Sequence, residues 1–158
     1  MKKILKLSIL LLGALFVLLG CSSEAKSEFV FEHNMGKQKI TYVYDKAKDS
    51  VTSLTFDISY DIANNKDMET QIRNMRESIV TEINGIEGVT VTQSDSEKEL
   101  KVTVAVDLKK FKYDDEEGRQ KAPSLYSSIH AALVKANGIY SFEESKKRIL
   151  DEGFKEVK

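Results

Sequence analysis

An α+β fold, with helices packed on one face of an antiparallel sheet of about five strands in the order βββαββαα, is what this 158-residue sequence predicts. Three patterns predict it. Apolar residues alternate strictly from Leu54 to Ile62, recur at helical spacing from Met68 to Ile83, and alternate again from Leu100 to Leu108. Period two marks a half-buried strand, and a period near 3.6 marks an amphipathic helix. Strands gathered in runs, without regular βαβ alternation, belong to the α+β class.

The first strand is read from Phe29 and Phe31, which alternate with Val30 and Glu32 before a turn at Gly36. Ile40, Tyr42 and Tyr44 form the second. The third places Leu54, Phe56, Ile58, Tyr60 and Ile62 on one face and Thr55, Asp57, Ser59 and Asp61 on the other. Three strands joined by short turns make a meander. A helix then opens at the candidate caps Asn64-Asn65-Lys66-Asp67 and lines Met68, Ile72, Met75, Ile79, Val80 and Ile83 along its apolar face. Met68 and Met75 are therefore expected in the core. Asn84-Gly85 closes the helix. Val89 and Val91 mark a fourth strand, and Asp95-Ser96-Glu97-Lys98 turns into a fifth with Leu100, Val102, Val104, Val106 and Leu108. Phe56 and Val104, central in their strands, are both expected to be buried.

The segment from Lys109 to Lys121 is polar and carries the acidic run Asp114-Asp115-Glu116-Glu117-Gly118, read as a solvated loop. Pro123, the only proline, suits the first turn of a helix bearing Leu125, Ile129, Leu133 and Ala136, stopped by Asn137-Gly138. The last helix starts with the capping box Ser141-Phe142-Glu143-Glu144. It ends at Gly153, with Phe154 folding back onto Ile149 in a Schellman close.

The N-terminus carries a different signal. Met1-Lys2-Lys3-Ile4-Leu5-Lys6 leads into the uncharged stretch from Leu7 to Leu19, and Leu18-Leu19-Gly20-Cys21 follows. A basic start, a short apolar core and a small residue before the cut make a secretory signal peptide. The core is shorter than the roughly 20 residues that span a bilayer. Cys21 is the only cysteine, so no disulfide accounts for it. Glycine directly before a sole cysteine is the pattern of a lipobox, favoured over an uncleaved signal anchor or an ordinary signal peptide. Leu19 departs from the pattern, standing where a small or β-branched residue is more usual. Cleavage between Gly20 and Cys21 and a diacylglyceryl thioether on Cys21 are expected, and two acyl chains suffice for stable anchoring. The expected organisation is a signal peptide over residues 1–20, a lipidated tether over 21–28, and a single globular domain over 29–158.

Charge and composition narrow the partners. Loss of residues 1–20 removes Lys2, Lys3 and Lys6 from the 24 basic residues and none of the 25 acidic ones, so the mature chain is mildly acidic. That balance argues against nucleic acid, or a polybasic contact with a membrane surface, as the main partner. Lysine far outnumbers arginine, as in proteins of AT-rich genomes. The expected location is the outer face of the cytoplasmic membrane of a Gram-positive cell, or a periplasm-facing membrane otherwise.

Reactive groups are few. With Cys21 lipidated there is no thiol nucleophile. His33 and His130 fall in different elements, Ser127 and Ser128 lie too close to His130 on one helix to form a nucleophile and base, and no serine has the Gly-x-Ser-x-Gly setting. The acidic run lacks the alternating ligand spacing of a calcium loop. No catalytic residue, metal ligand or cofactor is assigned, apart from the covalent lipid. Tyr42 and Tyr44 remain candidates for ligand binding, since a tyrosine can bury its ring and keep its hydroxyl wet.

Ile40-Thr41-Tyr42-Val43-Tyr44, the alternating strand after it, and the closing Gly153-Phe154-Lys155-Glu156-Val157-Lys158 resemble the YehR-like small bacterial lipoproteins. The likeness covers most of the mature chain and agrees with the lipobox position. It implies an α+β fold, an envelope location and a function not known for the family, with no catalytic residues to carry over. The reading that follows is a non-enzymatic envelope lipoprotein, anchored to the membrane, that binds a protein, a peptide or a cell-wall component. The alternative is an envelope enzyme or metal-dependent accessory with a carboxylate or tyrosine site.

Overall fold

The computed structural model describes residues 23–157. Among them β1 (Glu24–His33), β2 (Gly36–Asp45) and β3 (Ser50–Asp61) form the meander. A 3₁₀ turn over Lys66–Met68 leads into α1 (Glu69–Ile83). The hairpin of β4 (Val89–Asp95) and β5 (Glu99–Asp107) follows. After it come α2 (Glu116–Lys121), α3 (Pro123–Ala132), β6 (Val134–Ala136), β7 (Ile139–Ser141), α4 (Phe142–Asp151) and β8 (Lys155–Glu156). The sheet runs β4-β5-β3-β2-β1-β8, and the β6–β7 hairpin joins it where Ser141 meets Ser50. All the pairings are antiparallel.

Register explains the core. Phe29, Ile40, Phe56, Val104 and Val91 stand opposite one another across five strands, and Tyr42, Leu54, Val106 and Val89 form the next row. Both rows lie on the face that meets the helices, where Leu125, Ile129, Phe142 and Ile149 join the same apolar cluster. Such rows of facing side chains are what stabilise a sheet. The other face carries charge in alternation. Lys39 lies 3.7 Å from Glu28 and 3.3 Å from Asp57, and Asp57 lies 3.1 Å from Lys101 and accepts a 2.6 Å hydrogen bond from Thr103. Burial pushes the Asp57 carboxyl up, but Thr103, Lys101 and Lys39 together outweigh it and hold the group below its ordinary value.

The class and the helical face agree with the sequence, while several details are corrected. The sheet has eight strands among the described residues rather than about five. Glu24–Glu28, expected within the tether, is paired strand, opposite residues Thr41–Asp45 of β2. Sheet hydrogen bonds are made by the backbone, so a polar edge segment can pair without an apolar signature. β3 starts at Ser50, and a bulge between Val43 and Tyr44 turns both Val51 and Leu54 inward despite their odd spacing.

α1 starts at Glu69 with no side-chain cap, because Asn64 and Asn65 instead bond Asp61. Met75 is exposed at 39%, and Arg76 takes the inner position at 5%, one helical turn from Ile72 and from Ile79. Its guanidinium is directed at Asp95 of β4 and at Glu77. The helix containing Leu125 ends at Ala132. Val134–Ala136 is strand, and Asn137-Gly138 is the hairpin turn, both residues having the positive φ (52° and 83°) that a type I′ turn needs. The acidic side chains of Asp114 to Glu117 are exposed, as expected, but Glu116–Lys121 is helical and Gly118 is buried.

Candidate functional site

Among the clefts of the described residues, the one with an apolar lining suited to a ligand lies between the helices and the sheet, with a volume of about 220 Å³. Its sheet side is made by Ile40, Phe56, Ile58 and Val104, placed there by the alternation of β2, β3 and β5. Its helix side is made by Ile79 and Ile83 of α1, Leu125 and Ala132 of α3, and Ile149 of α4, with Phe154 beyond the last. The reason a gap persists lies in α3. Ser124, Ser128 and Ala131 recur at helical spacing on the side facing the cleft, and they are too short to reach the sheet. Phe56, expected to be fully buried, is only partly so. It lines the cleft beside Val104, which is 2% exposed.

Hydrogen bonds fix the helix side of the cleft. The Glu82 carboxylate of α1 accepts from the Ser124 amide at 2.9 Å and the Ser124 hydroxyl at 3.3 Å, and Lys121 donates to the Asn84 carbonyl at 2.7 Å. These contacts tie the end of α1 to the start of α3. On the far side, the Phe154 amide donates to the Ile149 carbonyl and the Gly153 amide to the Leu150 carbonyl, both at 3.1 Å, with Gly153 at φ 96°. This is the Schellman close expected from the sequence. It directs the Phe154 ring onto Phe31, 5.4 Å between centroids. The cleft is thus apolar within and polar at its rim, where Gln38, Ser128 and Glu152 stand. Such a shape takes an apolar group by desolvation and leaves a polar end outside.

The two tyrosines proposed from the sequence lie elsewhere. Tyr42 is fully buried, its hydroxyl donating to the Ala132 carbonyl at 2.7 Å. Burial raises the pKa of that hydroxyl far above the usual tyrosine value. Tyr44 stacks on Phe142 with centroids 3.7 Å apart and planes 8° from parallel. Both are pillars between the sheet and the helices, and neither lines the cleft. Gly20 and Cys21 lie outside the described residues.

The histidines are kept apart. His33 accepts the Met35 amide at Nδ1 and lines a polar cleft at the β1–β2 turn. His130 lies by Tyr113 in another cleft, with ring centroids 6.2 Å apart. Among the described residues no group of three or more His, Cys, Asp or Glu side chains is placed to hold a metal ion. No described helix is long and apolar enough to cross a membrane.

The most informative comparisons are with solved structures. The NMR structure of the Escherichia coli YehR protein superposes with a TM-score of 0.65 at 21% identity, over 85% of this chain and 91% of that one. An NMR structure of a protein from Streptococcus pneumoniae TIGR4 superposes with a TM-score of 0.55 at 16% identity, over 85% of each chain. The fold is therefore YehR-like. No protein-family model matches the chain, and no curated protein sequence does.

Proposed function

We propose that this chain is an exported bacterial lipoprotein, held to the membrane by a diacylglyceryl group on Cys21, whose domain is a non-enzymatic binding module with the apolar cleft as its ligand seat. The observation that carries the binding reading is the cleft itself. A solvent-open cleft of about 220 Å³ lies between the sheet and the helices, with an apolar floor and exposed polar residues at its mouth, and its helix side is fixed by the Glu82–Ser124 contact. An apolar concavity with a polar rim is the shape that takes an apolar group and leaves a polar end in water. The anchoring reading is supported by Gly20-Cys21 at the end of the apolar run.

The ligand class that fits is an apolar group with a polar end: an apolar side chain of an envelope protein or peptide, or a small amphipathic molecule. The test uses 1-anilinonaphthalene-8-sulfonate, which fluoresces when its apolar rings leave water. Wild-type protein should bind the dye saturably. Ala131→Phe, which places a large ring at the exposed rim, should abolish most of that signal while leaving the thermal transition within a few degrees. Equal dye binding by the two proteins would remove the cleft from consideration.

A further inference from the structure

Ser23 is already part of the fold. Its carbonyl accepts the Lys46 amide at 2.7 Å, and the Asp45 carboxyl is held below its ordinary value first by a hydrogen bond from the Ser23 side chain. Glu24 then pairs with Asp45, and the ladder runs without a break to His33 opposite Gly36. If Cys21 carries the lipid, only two peptide steps join it to Ser23, a reach of about 7 Å at most. β1 has ten residues, so its far end stands about 30 Å from its start. One end of the sheet is thereby tied close to the anchor, and the other is carried away from it.

The tip of the turn at the tied end presents two exposed lysines, Lys46 and Lys48. In the turn between β2 and β3, Asp45 accepts the Ala47 amide at 2.9 Å and the Lys48 amide at 3.3 Å. Asp49 accepts the Glu143 amide at 2.9 Å and the Ser141 hydroxyl. Both carboxylates are engaged with the fold; Lys46 and Lys48 are exposed, and the Lys48 ammonium stands 3.8 Å from Asp45. Glu24 and Glu143, also exposed, flank the turn, so the attraction is local to its tip and not a property of the whole end. Within about 8–10 Å of the lipid surface, unscreened by salt, exposed ammonium groups are attracted to phosphate headgroups.

We propose that the β2–β3 turn, with Lys46 and Lys48, rests against the lipid headgroups, so that the domain stands on the membrane in one orientation and does not swing on a tether. This rests on the lipid-anchoring reading above. The polar cleft formed by His33, Asp61 and Lys98 at the opposite end then points away from the bilayer, and the apolar cleft opens between the two.

The experiment uses the full chain, expressed where it is lipidated and checked by mass for the diacylglyceryl adduct. It is reconstituted in vesicles of phosphatidylglycerol and phosphatidylethanolamine. Ala47→Cys and Lys37→Cys each introduce a single labelling site at an exposed position, because the native thiol is blocked by lipid. A fluorophore at position 47 should be quenched several-fold more strongly by headgroup spin-labelled lipid than one at position 37. Inserting a flexible segment of about twelve Gly and Ser residues after Ser22 should erase the difference. Equal quenching in the adduct-bearing parent chain overturns the proposal, and a difference that survives the long insert overturns the role given to the short tether. A preparation without the adduct overturns the anchoring reading, and the orientation falls with it.

Discussion

Asp49 and Ser141 are 92 residues apart in the chain, yet the Asp49 carboxylate accepts the Ser141 hydroxyl and so completes the N-terminal cap of α4. Ser141 in turn accepts the Glu144 amide at 3.2 Å, and Asp49 also takes the Glu143 amide at 2.9 Å. Three of the free amides of the helix are thus satisfied: that of Glu144 by the local serine, and those of Phe142 and Glu143 by the carbonyl and carboxylate of Asp49, in the β2–β3 turn. The capping box read from the sequence is part local and part tertiary.

Asp49→Ala should therefore destabilise the protein by about 1–2 kcal/mol, more than a typical surface substitution. Glu144→Ala should cost much less, because no bond from its side chain is part of the cap. Chemical denaturation of the two variants checks this. Equal losses would assign the cap to the local box alone.

Tyr42→Phe keeps the ring and removes one hydroxyl. The Ala132 carbonyl it serves ends α3 in the buried layer, where Ala132 is 2% exposed. An unpartnered buried carbonyl costs about 1–3 kcal/mol. A loss in this range is expected by urea denaturation, and a neutral result would mean that water replaces the hydroxyl.

The core rows make a graded prediction. Leu54→Ala, at a fully buried position, should cost about 2–5 kcal/mol. Phe56→Ala should cost less than the 3–5 kcal/mol usual for a buried phenylalanine, because one side of its ring already faces the cleft. Thermal melts of the two variants order them, and a larger loss at Phe56 would mean that the cleft is closed in solution.

Stability should fall in acid partly through Asp57. Its pKa is depressed in the fold, so its contribution is complete above the unfolded carboxylate value, near 3.8, and is lost as pH falls through the lower folded value. Asp57→Asn should flatten the stability profile below about pH 4 and lower stability at neutral pH. Urea midpoints across that range, compared with wild type, decide it. Parallel profiles would show that the charge row of Lys39, Asp57 and Lys101 is screened by solvent.

What could be read from residues alone follows a physical line. Period-two alternation identified β3 and β5, because one face of each is buried and the pattern records it. The Schellman turn at Gly153 was equally legible, since its hydrogen bonds are local. Asn137-Gly138 was ambiguous: the same dipeptide that ends a helix also makes a two-residue hairpin, and only the pairing of Val134 with Ser141 decides between them. Arg76 was hidden for a related reason. A cation on an apolar helix face reads as a boundary until Asp95, on a strand 19 residues away, supplies its partner. Glu24–Glu28 was hidden because backbone pairing leaves no mark on side-chain chemistry. The cleft was legible only in part: Ile79, Ile83 and Phe56 were named as core, but the shortness of Ser124, Ser128 and Ala131 matters only once α3 is laid over the sheet.

The central claim is an anchored module, and the mass of the membrane-bound protein tests it most directly. Wild-type chain extracted from the membrane fraction should have Cys21 as its first residue and carry a diacylglyceryl group, with or without a further acyl chain. Cys21→Ala should lose both the lipid and the processing. A membrane-bound form that keeps residues 1–20 and an unmodified Cys21 thiol would contradict the account and make the protein a signal-anchored one.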